Sequence, residues 1–204
     1  MIIWSFLVGV TLTQLVCTGL MFRPRGTWLE FLGRYLGTPA AGLLGWMLAG
    51  AVVVLYVGYS ASTSPVVRRY ALHPGSWGPY IGIRLVAILM AFVTGFFEEA
   101  FFRKFLMDAG AAQGYGMAAQ IIGCALIFGA MHAVWGVFGG KLRAAAAIMA
   151  VTSLLGALLA VVYVAAGRSI APAIAAHVAI NLILEPWLIM TSATGSWRQK
   201  ALPA

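Results

Sequence analysis

Apolar stretches of about 20 residues recur along this chain, and that is the length an α-helix needs to cross a bilayer. They run near residues 2–22, 40–60, 79–102, 117–138, 144–166 and 170–190. In lipid, such a stretch satisfies its backbone hydrogen bonds only by coiling into a helix. Of the 204 residues, 62% are hydrophobic and 9% are charged, which leaves too little polar surface to cover a soluble domain. The expected fold is therefore all-α integral membrane, a bundle of about six transmembrane helices around a polar intramembrane site. Residues 1–204 are read as a single membrane domain, with no internal repeat and no linker long enough to divide it.

The first stretch lacks a basic leader and a clear small-x-small cleavage site, so it reads as a retained helix rather than a signal peptide. A net charge of +8 would suit a nucleic-acid binder, but the basic residues are scattered over short loops. That is a juxtamembrane pattern, and no nucleic-acid partner is expected. Arg23, Arg25, Arg34, Arg103, Lys104 and Arg168 fall on one side; Arg68, Arg69, Lys141, Arg143, Arg198 and Lys200 fall on the other. The sides balance, so charge assigns no orientation, and Arg84 snorkels from within the third stretch. Cys17 and Cys124 lie in apolar stretches and read as buried thiols without a disulfide. Trp4, Trp46, Trp77, Trp135, Trp187 and Trp197 read as interfacial anchors. Turns are expected at 23–26, 73–75 and 139–141, and the glycine-bearing segment 104–116 is expected to reverse the chain. His73 reads as a solvated loop residue, and Glu185 beside Pro186 as an interruption of the last stretch.

Against this background the ionisable residues stand out. The chain has five acidic residues and three histidines. Glu98, Glu99, His132 and His177 all fall in or beside apolar stretches, where a charge is costly and marks function. At 1.5 Å per residue, Glu98 lies about 18 Å, His132 about 24 Å and His177 about 15 Å from one membrane face. All three therefore reach the middle band of a hydrocarbon core of about 30 Å. Residues four apart share a helix face, so Glu99 pairs with Arg103 while Glu98 points elsewhere. By the same rule Phe128 shares a face with His132, and His177 with Asn181.

The three elements Glu98-Glu99-Ala100-Phe101-Phe102-Arg103, Phe128-Gly129-Ala130-Met131-His132 and His177-Val178-Ala179-Ile180-Asn181 resemble the EExxxR, FxxxH and HxxxN pattern of the CAAX-processing and bacteriocin-processing (CPBP, or Abi) intramembrane proteases. The run from Arg168 to His177 is similar to that family's approach to its second histidine. The family's usual glycine after the arginine is Lys104 here, and residues 1–60 carry no family motif. The resemblance implies a catalytic core over about 79–190. It implies peptide hydrolysis with Glu98 as general base, His132 polarising the same water, and His177 and Asn181 stabilising the oxyanion. Glu99, Arg103 and Phe128 support that site. Substrates would be membrane-associated or lipidated proteins or peptides, with membrane lipids as the other partner. A short chain suits a multi-pass protein of a prokaryotic inner membrane.

No cofactor is expected. A zinc ion held by Glu98, His132 and His177 is the alternative reading of the same residues, although no HExxH is present. Two other functions fit the composition. One is a non-catalytic immunity or scaffold protein that binds a peptide through the same polar cavity; the other is a small transporter. The transporter reading is disfavoured by the absence of inverted repeats.

Overall fold

The computed structural model describes residues 41–64, 81–138 and 142–194, together with Val16 and Val67. The stretch 2–22 lies outside these residues, as do Cys17, His73 and the turns 23–26, 73–75 and 139–141. So do the side chains of Arg84 and Glu185, and those of every tryptophan named above except Trp46.

Every element among the described residues is helical. They are α1 (Leu43–Thr63), α2 (Ile81–Glu99), a π-helical segment (Ala100–Met107), α3 (Asp108–Ala112), α4 (Met117–Phe138), α5 (Leu142–Ala165) and α6 (Ala171–Thr194). Among the described residues, four helices are long and apolar enough to cross a membrane: Leu43–Thr63, Leu85–Ala112, Met117–Val134 and Leu142–Ala165. Leu43, Leu44, Met47, Val54, Leu55, Leu89, Phe92, Leu126 and Leu154 expose their side chains. On helices of this length, a surface of that kind faces lipid. The protein is integral to the membrane. Trp46 is among the exposed residues, in the first turn of α1.

The described residues fall into two compact units. One contains the described parts of 53–97 with 177–194; the other contains 41–52 with the described parts of 98–176. In the second unit α4 and α5 pack along one another as an antiparallel pair, and small residues set the approach. A Cβ at Gly129 would strike Ser153, one at Gly136 would strike the Ala145 backbone, and one at Gly156 would meet Ala125 and Phe128. Small residues at such crossings let backbones close up where no hydrophobic effect drives association. Gly136 thus serves a helix contact. Within the first unit α2 and α6 meet in the same manner, with Gly95 against Val178.

The last helix runs through Glu185 and Pro186 without the interruption expected there. Two further features differ from the sequence expectation. The rod that begins as α2 is not a plain α-helix, because Ala100–Met107 is wound with π turns immediately after the two glutamates. It then runs on as helix to Ala112, so the reversal takes only residues 113–116 rather than all of 104–116. The reason is the cap. Gly114, at φ +80°, closes a Schellman turn in which its N–H donates to Ala111 O and the Tyr115 N–H donates to Gly110 O. Gly110 itself stays within the helix. A second Schellman turn ends α5 through Gly167, at φ +64°. Here the Gly167 N–H donates to Val164 O and the Arg168 N–H to Tyr163 O. Pro172 follows in the first turn of α6, where no N–H is needed.

Candidate active site

Glu99 and Arg103 straddle the junction between α2 and the π segment. Arg103 Nε lies 3.0 Å from Glu99 Oε2, and both side chains are 0% exposed. A guanidinium in such a place cannot shed its proton, so it needs a full set of partners. Arg103 Nη2 donates to Gly156 O at 3.0 Å. Its guanidinium carbon also stands 5.3 Å from the Phe128 ring centre and 5.8 Å from that of Phe102, within cation–π range. Phe102 and Phe128 meet edge to face at 4.9 Å, and the Cys124 thiol donates to Phe102 O at 3.3 Å. The expected Glu99–Arg103 pair is present, and the structure ties it to three helical segments of one unit.

Phe128 carries this rigidity to His132. The two rings stack at 4.4 Å, and His132 Nδ1 lies 2.8 Å from Phe128 O. A carbonyl oxygen only accepts, so Nδ1 holds the proton in that bond. In the neutral ring Nε2 then carries the lone pair. That nitrogen stands 3.8 Å from Glu98 Oε2. His132 is 25% exposed and Glu98 15%, in contrast with the sealed Glu99–Arg103 pair beside them. Of the two glutamates, Glu98 is the one whose side chain keeps some exposure. Phe128 thus fixes both the plane and the tautomer of His132.

In the other unit, His177 is buried near the start of α6. Asn181, one turn later, donates from Nδ2 to Thr94 Oγ1 on α2 at 3.2 Å. The Thr94 hydroxyl donates to Met90 O at 2.8 Å. The structure therefore gathers Glu98, Glu99, Arg103, Phe128 and His132 in one unit, and holds His177 and Asn181 in the other.

Thr94 escaped the sequence reading, because a threonine inside an apolar helix gives no charge signal. Its only mark is its place four residues before Glu98. Asp108 escaped as well. Tyr163 donates its hydroxyl to both carboxylate oxygens at 2.9 and 3.0 Å, Arg168 Nη1 reaches Oδ1 at 2.6 Å, and Lys104 Nζ lies 3.6 Å from Oδ2. Arg168 Nη2 also donates to Gln120 Oε1 at 2.7 Å, and Gln120 Nε2 to Tyr115 O at 2.6 Å. This network joins both Schellman turns to α3. Lys104, the departure from the family glycine, belongs to it.

Of the three residues read as possible zinc ligands, Glu98 and His132 lie together in one unit, and His177 belongs to the other. Among the described residues no three His, Cys, Asp or Glu side chains gather as a ligand set.

The family model described as Type II CAAX prenyl endopeptidase Rce1-like matches residues 80–183. No curated protein and no solved structure matches the chain.

Proposed function

Because the chain belongs to the Type II CAAX prenyl endopeptidase Rce1-like family, and is thus a membrane protease acting on membrane-associated proteins, we propose that Glu98 is the general base of its peptide hydrolysis. The observation that carries this reading is the convergence of Glu98 Oε2 and the His132 Nε2 lone pair across 3.8 Å. Two acceptors facing one another grip a water by both its protons and leave its oxygen lone pairs directed at a carbonyl carbon.

In the first step the water oxygen bonds to the carbonyl carbon and Glu98 takes one water proton. The carbonyl becomes a tetrahedral oxyanion, which His177 and Asn181 stabilise as hydrogen-bond donors. Collapse re-forms the carbonyl and breaks the C–N bond, and the proton held by Glu98 leaves with the amine. His132 keeps its Nδ1 proton on Phe128 O throughout and acts through Nε2. Glu99 and Arg103 take no part in the chemistry; they fix the helix that carries Glu98.

The catalytic core is proposed to run over about 79–190 within one membrane domain, in a prokaryotic cell membrane. Its substrates would be membrane-associated or lipidated proteins. The test compares protein termini in membranes of host cells carrying wild type or Glu98→Gln. New termini are expected with wild type alone. Identical termini with both, from equal amounts of folded protein, would remove Glu98 from the role of base.

A further inference from the structure

We propose that Thr94 is the positioning residue for Asn181, fixing which end of its amide faces the reacting carbonyl. The inference rests on the role given above to Asn181 as an oxyanion donor. An asparagine amide rotated by half a turn exchanges a donor for an acceptor with almost no change of shape, so an oxyanion site built on asparagine needs something to forbid the wrong rotamer. An oxygen turned toward an oxyanion would repel it.

Thr94 supplies that discrimination through proton bookkeeping. It is buried, and a hydroxyl has one proton. That proton is spent within the helix on Met90 O at 2.8 Å. Toward Asn181 the Thr94 oxygen can only accept, and the contact there is with Nδ2 at 3.2 Å. The reversed amide would set two acceptors against each other in a buried place. One N–H of Asn181 is thereby held on Thr94, and the second N–H is turned to a fixed direction for use elsewhere.

The helix contact next door holds the distance. A Cβ built on Gly95 would come within 2.7 Å of Val178 Cγ2 and 3.3 Å of Val178 N. α2 and α6 therefore touch nearly backbone to backbone, one residue beyond Thr94 and one residue beyond His177. At that separation a threonine is long enough to reach Asn181.

The chain contains one asparagine, which makes the test direct. Full-length protein labelled with ¹⁵N-asparagine and held in lipid nanodiscs gives a single side-chain amide pair by NMR. We expect one of its protons to be shielded from exchange in wild type and in Thr94→Ser, and to lose that protection in Thr94→Val. An amide unchanged in Thr94→Val overturns the inference, whatever the activity. Turnover is read in parallel with an internally quenched farnesylated CaaX peptide. Thr94→Val should lower kcat by about 10- to 100-fold, the cost of misplacing a catalytic group by a fraction of an ångström to an ångström, with KM little changed. Thr94→Ser should restore the rate. In an Asn181→Ala background, Thr94→Val should cost nothing further; an added loss would mean that Thr94 acts independently of Asn181 and would overturn the proposal. If Asn181→Ala itself cleaves as fast as wild type, the oxyanion role of Asn181 falls. The amide spectrum then still decides whether Thr94 holds that side chain.

Discussion

Replacing Glu99 with glutamine keeps the shape of the side chain and removes its charge. The Arg103 guanidinium stays where it is, 0% exposed and unable to deprotonate, with its carboxylate 3.0 Å away neutralised. Breaking a buried pair from one side costs about 3–5 kcal/mol, because the surviving charge is left uncompensated. An arginine near the bilayer centre costs about 2.5–3.5 kcal/mol on insertion scales, a figure of the same size. At about 2–4 °C per kcal/mol for a chain of this length, Glu99→Gln should melt about 6–20 °C below wild type. The double variant Glu99→Leu with Arg103→Met removes the charge along with its partner. It forfeits the Gly156 hydrogen bond, about 1.5–3 kcal/mol for a charged donor, but no longer carries the desolvation cost of two ions. It should therefore melt well above the sum of the two single losses. It should also be folded and poorly active, because Arg103 no longer holds the Phe128 ring on which His132 stacks. The assay is tryptophan-fluorescence melting in nanodiscs at several scan rates, since membrane-protein unfolding is often irreversible. A Glu99→Gln melting point within about 2 °C of wild type, or strict additivity in the double variant, would refute the reasoning.

Gly156→Ala should lower turnover more than stability. The new methyl gains about 1 kcal/mol of helix propensity but sits 3.2 Å from Phe128 Cβ and Ala125 Cα, an overpacking worth about 1–3 kcal/mol. Equal kcat for the variant and wild type on the quenched peptide would show that Phe128 does not transmit position to His132. Tyr163→Phe deletes a hydroxyl shared between both oxygens of Asp108, a charge-assisted bond worth about 1.5–3 kcal/mol, and should lower the melting temperature with little change in KM. An unaltered melting temperature would mean that Arg168 alone secures the two turns. Peptide cleavage should persist after dialysis against a zinc chelator, and restoration by added zinc of activity lost to the chelator would establish a metal that Glu98 and His132 help to bind.

The amino-acid pattern announced the apolar helices and the polar residues set within them, because lipid makes length and charge the two strongest signals a membrane chain can carry. Glu99 with Arg103, and Phe128 with His132, were legible through the four-residue spacing alone. What the pattern did not announce has physical causes. The run Ala100–Met107 carries good helix formers and aromatics that suit α and π winding equally, so no composition rule separates the two. Thr94 has no charge to betray it. Asp108 finds Tyr163 and Arg168 at separations of 55 and 60 residues, and only the packing of distant turns brings them within bonding range. The tautomer of His132 follows from a backbone oxygen, which every residue possesses.

A common device runs through these polar groups. His132 bonds to the carbonyl of Phe128, Thr94 to that of Met90, Arg103 to the carboxylate of Glu99, and Lys104 reaches toward Asp108. In each case the first partner is four residues away on the same rod. A helix entering lipid with a bare donor bears the full desolvation penalty until another helix arrives, whereas one whose polar side chain is already bonded to its own turn does not. The intrahelical bond also fixes a direction. Once Nδ1 of His132 is spent on Phe128 O, only Nε2 is left to face Glu98; once the Thr94 proton is spent on Met90 O, only a lone pair is left for Asn181. The orientation of the candidate catalytic groups is thus settled largely within single helices. Packing has only to bring correctly turned side chains to the right separation, and the glycines Gly95, Gly129 and Gly156 set that separation by letting backbones touch.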